Sequence, residues 1–220
     1  MKKTNWIIAG AFALGLAIAP QATAHAADTP SPSKSTASFV ANPGELTLVK
    51  VPDMNFGTTS VQDLIAGTTL EYQNGNANTN GMSDTSNANQ DGTLQVADYR
   101  GTSAGWQLSA QAAPFTADHN AVTLGTTTLT FSPMVDTDQS GTQANNLATN
   151  TNIYNTNATI WSAAATTGAS DEKTGTGTNT LTFTQGVATL KIGATPSAVS
   201  GTYQSQITWT LASAPDGQGN

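Results

Sequence analysis

Few side chains in this 220-residue sequence are of a type and spacing that could do chemistry. Asp136-Thr137-Asp138-Gln139-Ser140-Gly141 resembles the front half of a calcium loop, with oxygen donors first, third and fifth and glycine sixth. The twelfth position is Leu147, where a bidentate Glu is wanted. Asp136, Asp138 and Ser140 therefore read as a polar turn first and a calcium site second, and no metal or cofactor is expected. His119 sits in a loop beside Asp118, the usual setting of a solvated turn histidine. Asp171-Glu172 offers paired carboxylates, but in a Gly/Thr-rich stretch without the aromatic walls a glycosidase site needs. No H-E-x-x-H or phosphate-binding glycine loop is present. The chain has no cysteine, so thiol catalysis and thiolate metal sites are excluded. An enzyme is not expected.

Recognition is the better-supported chemistry. Trp106 in Gly105-Trp106-Gln107-Leu108 and Trp209 in Trp209-Thr210-Leu211 have two readings. An exposed indole offers a flat apolar face and an N–H donor to a sugar ring. Each Trp also shares strand parity with its Leu, Leu108 or Leu211, which favours packing in one core. Asp98 and Arg100 share the face of Trp106. They read as a local salt bridge with the guanidinium against the indole, or as a polar clamp on a glycan or partner. Trp161 follows a polar tract and is either an exposed contact or the anchor of that tract.

Other parts of the sequence say where these residues are held. Lys2-Lys3, the apolar run from Trp6 to Ile18, Pro20 and Ala24-His25-Ala26 have the three-part order of a secretory signal. The run falls short of the roughly 20 apolar residues of a membrane span. The expected organisation is a signal peptide over 1–26, a Pro/Ser leader over 27–37, one domain over 38–215 and a frayed tail over 216–220. The mature part would keep five basic side chains against fourteen acidic ones. So acidic a chain should not bind nucleic acid or anionic polymers by charge. No further transmembrane segment and no sorting signal for covalent wall anchoring are seen.

Thr-rich segments of period two, separated by Gly and Asn, predict an all-β, antiparallel β-sandwich with long polar loops; Greek-key connections are compatible with it. Alternation predicts three hairpins. One turns at Gln185-Gly186, with Leu181 opposite Leu190 and Phe183 opposite Ala188. One loops over Gly125 to Thr128, with Leu124 opposite Leu129 and Val122 opposite Phe131. The third loops over Gly101 to Ser103, with Leu94, Val96 and Asp98 opposite Ala110, Leu108 and Trp106. Glu45 to Val51 and the segment from Tyr203 to Leu211 read as further strands, the latter with one face buried and one wet. The polar tracts 73–91, 137–157 and 166–179 read as surface loops that offer no core.

Three stretches together resemble the WxL surface-protein family of low-GC Gram-positive bacteria. Leu46, Leu48, Val51-Pro52-Asp53 and Asn55-Phe56-Gly57 match its opening strand. Val96, Asp98, Arg100 and Gly105-Trp106-Gln107-Leu108 carry the first tripeptide, and Tyr203 with Trp209-Thr210-Leu211 the second. The resemblance implies a non-enzymatic surface protein held non-covalently on peptidoglycan or another wall glycan. It implies as partners a membrane-anchored WxL-interacting protein and other WxL proteins. A structural subunit held by that partner through strand pairing is the alternative.

Overall fold

The structure is a computed structural model, and it describes residues 32–78, 87–102, 104–117, 122, 124–132, 146–166 and 174–213. Two units separate, 1–40 and 41–220. In the first, residues 32–40 are exposed and without regular structure. The second is all-β and sandwich-like, with a single short helix among the described residues.

Among the described residues, this unit holds three four-stranded sheets. The first holds β11 (Gly177–Thr182), β4 (Thr93–Asp98), β1 (Leu46–Pro52) and β3 (Ala88–Asn89), in that order. The second runs β14 (Ile207–Ser213), β5 (Trp106–Ala112), β10 (Ala158–Ala163) and β8 (Asn146–Leu147). The third runs β2 (Thr68–Glu71), β12 (Ala188–Ile192), β7 (Thr127–Phe131) and β9 (Thr151–Asn152). A small ribbon pairs β13 (Tyr203–Gln204) with β6 (Thr116–Ala117). Pairing between these strands is antiparallel except between β1 and β3, and an isolated parallel bridge joins Ala112 of β5 to Tyr154. Helix α1 (Val61–Ala66) starts at a capping box in which Ser60 Oγ accepts from Asp63 N at 3.0 Å. It buries Leu64 and hangs on the third sheet's end through Thr195 N donating to Leu64 O at 2.9 Å.

Alternation explains the core. Strand β5 reads buried at Trp106, Leu108, Ala110 and Ala112, and more open at Gln107, Ser109 and Gln111. Leu94, Val96, Leu129, Phe131, Leu181 and Leu190 extend one shared cluster. Phe183 stands edge-on to Tyr72 (6.2 Å) and Phe131 (5.5 Å), joining the first sheet to the third. Burial on this scale is what holds a disulfide-free domain together.

None of the three expected hairpins forms. Leu181 and Phe183 do point inward with Ala188 and Leu190, but β11 pairs with β4 while β12 pairs with β2 and β7. The turn is there, closed by Val187 N donating to Thr184 O at 3.0 Å. Its limbs are drawn apart because Phe183 N bonds Gly92 O and Gly186 N bonds Tyr72 O. Likewise β4 and β5 carry the expected inward residues into different sheets. Thr127 and Thr128 belong to β7, so they are strand and not loop. Phe131 faces Ala188 and Leu129 faces Leu190, in place of Val122 and Leu124. Parity fixes which face is buried. A strand satisfies that equally beside its chain neighbour or in the facing layer.

The polar tracts also supply more than loops. Ile153 is fully buried and Asn179 nearly so. Asn89 Nδ2 donates to Val51 O (2.8 Å) and Thr93 O (2.7 Å), tying β1 to β4. The expected final strand is split in two, β13 and β14.

The chain's lack of cysteine allows a clean test of the observed pairing. Thr130 and Thr189 stand directly opposite in β7 and β12. A Thr130→Cys/Thr189→Cys variant should form an internal disulfide on mild oxidation, read by mass spectrometry. Thr182→Cys/Thr189→Cys, which the sequence-based hairpin would pair, should stay reduced.

Candidate functional site

The two Trp-x-Leu tripeptides, about a hundred residues apart, lie side by side. Strands β5 and β14 pair without a register shift over seven positions, from Ile207 opposite Ala112 to Ser213 opposite Trp106. Leu108 and Leu211 are direct partners. Trp209 lies opposite Ala110, so the indoles flank the leucine pair from either end.

The two tryptophans differ in setting. Trp106 is fully buried, edge-on to Trp161 at 5.0 Å and 89°. Its Nε1 donates to Gly175 O at 3.0 Å, meeting the need of a buried indole for an acceptor. Trp161 is also fully buried, as a core anchor of its segment and not an exposed contact. Trp209 is half-buried and tilted against Phe131 at 6.2 Å.

At one end of this pair sits the Asp98–Arg100 cluster. Asp98 is 4% exposed. Arg100 Nε donates to Asp98 Oδ1 at 2.9 Å and Nη2 to Oδ2 at 2.8 Å, a two-pronged ion pair. The backbone N–H of Arg100 adds a third bond to Oδ1 at 3.1 Å. The guanidinium also reaches Gly105 O (2.8 Å) and Ser213 Oγ (2.7 Å), so one side chain links β4, the β4–β5 connection and β14. Burial alone would raise the Asp98 carboxyl. The side-chain bonds, backbone bond and charge of Arg100 overcome that and hold it below the usual carboxylate range. Nothing in the spacing of Asp98 and Arg100 signals Gly105 or Ser213 as partners, because both come from the fold.

Turning each tripeptide's Trp and Leu inward puts its middle residue outward. Gln107 and Thr210 therefore share the outer face of the second sheet with Ser109, Gln111, Thr159, Ser162 and Thr208. Gln107 Nε2 donates to Thr159 Oγ1 across that face. Apart from the small Ala212, which lies opposite Gln107 on the same face, these side chains are neutral amides and hydroxyls, although the chain as a whole is strongly acidic.

On the opposite side, the sandwich is open between β1 and β14. A cleft of about 960 Å³ is walled by Leu48, Val51, Phe56, Leu129, Leu190 and Trp209, with a rim that includes Asn55, Thr202, Gln204 and Gln206. Among the described residues, Asp53 is the one formally charged side chain lining it. The cleft does not reach Leu46 or Leu211, since the Arg100–Ser213 bond closes that end.

Asp136, Asp138, Ser140, His119 and the Asp171-Glu172 pair lie outside the described residues. Among the described residues, no group of three or more His, Cys, Asp or Glu side chains is placed to hold a metal ion. No helix among them is long and apolar enough to cross a membrane.

The structure thus defines an all-β module organised on two paired Trp-x-Leu strands. The family model for the WxL domain, described as surface cell wall-binding, matches residues 18–215, and the chain belongs to that family. Neither the curated proteins nor the solved structures gave a match.

Replacing Arg100 by Met should cost about 3–5 kcal/mol in urea unfolding, because Asp98 is left as a buried unpaired carboxylate. The Asp98→Asn/Arg100→Met double variant should recover part of that loss. The ion pair's contribution is complete above the ordinary Asp value of about 3.9 and is lost as pH falls through the depressed folded-state value. Asp98→Asn should therefore flatten the acid limb of the stability–pH curve.

Proposed function

We propose that this surface protein attaches non-covalently to peptidoglycan through the outer face of the second sheet, without catalysing a reaction. The observation that carries the reading is the pairing of the two tripeptides. It makes one uncharged surface rich in hydroxyls and amides on a strongly acidic chain. A sugar polymer presents hydroxyls and acetamido groups, which such a surface meets bond for bond. Neutral contacts also avoid the repulsion that an acidic chain meets at anionic wall polymers. Trp106, Leu108, Trp209 and Leu211 act from beneath, fixing the two strands in register. Trp161 supports β10 in the same way, and Asp98 with Arg100 pins the end of the surface. The export signal over 1–26, the leader over 27–37, the domain bounds 38–215, the tail over 216–220 and the peptidoglycan ligand belong to this proposal.

Purified sacculi incubated with the protein and centrifuged give the test. The wild type should pellet without added partner, and raising salt from 0.05 to about 0.5 M should change binding little, since no ion pair carries it. Thr210→Glu and Gln111→Glu, both on the exposed face, should weaken pelleting about tenfold or more with the melting temperature nearly unchanged. Full retention of binding by both variants would refute the proposed surface.

A further inference from the structure

The cleft between β1 and β14 has the features of a sandwich lacking one strand. Among the described residues, β14 is the end strand of its sheet. Gln206 O accepts from Ala113 N, so the even-numbered residues of this strand turn their backbone groups to β5. The N–H and C=O of Ile207, Trp209 and Leu211 consequently face away from it. The facing edge of β1 is already engaged, with Asn87 Nδ2 on Leu48 O and Val51 N on Asn87 O. A guest strand must therefore pair with β14. Edge strands are ordinarily guarded by charge, proline or a bulge. The strand Ile207-Thr-Trp-Thr-Leu-Ala-Ser213 has none of these, whereas β1 and β10 both carry register shifts.

The same chain carries a segment suited to that place. Between Lys34-Ser35 and Pro43, residues Thr36-Ala-Ser-Phe-Val-Ala-Asn42 form a neutral, proline-free run of the same length as β14. Phe39 is 92% exposed and Val40 86%, an apolar pair lying open to solvent. In extended form Ala37, Phe39 and Ala41 share one face, a single ring between two small residues. That face matches a cleft with an apolar floor at Leu129, Leu190 and Trp209. Ser38, Val40 and Asn42 would then look outward.

We infer that residues 36–42 of one copy add as a strand to β14 of a second copy, with Phe39 in the cleft. Donor segment and acceptor cleft are different surfaces, so the contact is head-to-tail. Each bound copy still offers a free cleft and a free segment, and the product is an open chain of subunits. Strand addition at β14 leaves the outer face of the second sheet uncovered, so this inference does not depend on that face binding glycan.

The test uses the protein purified from a Gram-positive expression host, with two cysteine pairs, Ser38→Cys/Thr208→Cys and Ser38→Cys/Thr210→Cys. On oxidation, at least one pair should give a ladder of disulfide-linked dimers and higher species on non-reducing gels. Sedimentation of the wild type should show concentration-dependent association. Adding Phe39→Asp should abolish both while leaving the melting temperature unchanged, since Phe39 is exposed in the single copy. The inference is overturned if only single-chain species appear, whether uncross-linked or closed within one chain. Association that survives Phe39→Asp would overturn it too.

Discussion

The seating of Trp106 is the constraint on which the rest of the structure depends. A buried indole needs a partner for its N–H, and here that partner is a backbone carbonyl from a distant segment, Gly175 O. Gly175 lies at φ +74°, and a Cβ there would come within 2.3 Å of Ala163 Cβ and 2.7 Å of Trp106 Nε1. Only glycine brings the chain that close. The same carbonyl accepts from Nδ2 of Asn179, the third residue of β11, at 2.9 Å. One ring thus fixes β5, the end of β10 and the entry to β11, and β5 in turn supports β14 along its whole length.

Much of this was legible in the sequence. Period-two alternation identified the strands around Leu46, Leu94, Leu108, Leu129, Leu181, Leu190 and Leu211, and the inward side of all but the first. It also placed Trp106 with Leu108, and Trp209 with Leu211, each pair on one face. Alternation is silent about neighbours. A leucine facing inward is equally content beside its chain neighbour or across the core, so three local hairpins were read where the chain crosses between sheets or docks elsewhere. The glycines that force those crossings could not be interpreted in advance. Gly105 is needed because a Cβ would lie 2.5 Å from Ala163 O, a contact that exists only once β5 and β10 are paired.

The polar tracts were the other illegible feature. Asn and Thr read as solvent-facing because composition treats each polar side chain as wanting water. Asn89 and Asn179 instead spend their amides on backbone carbonyls in and beside the strands, where a buried amide with its bonds made costs little. The candidate surface was half visible for a related reason. The tryptophans drew attention as the residues most able to touch a ligand. Their burial hands the outward positions to Gln107 and Thr210, which carry no signal on their own.

The spacing of the paired strands also bears on how the molecule is made. Ser109 and Thr210, neighbours across β5 and β14, are 101 residues apart, and Arg100 reaches Ser213 over 113. Consecutive strands seldom help each other, so few contacts can form early to hold the rest in place. Closing such long loops before any reward places the chain among slow folders, on the scale of milliseconds to seconds or beyond. Throughout that interval β5 would be present without its β14 neighbour, its inward apolar row unsupported on that side. The price of uniting two distant tripeptides is a long-lived, sticky intermediate that the cell must shield until the last paired strand arrives.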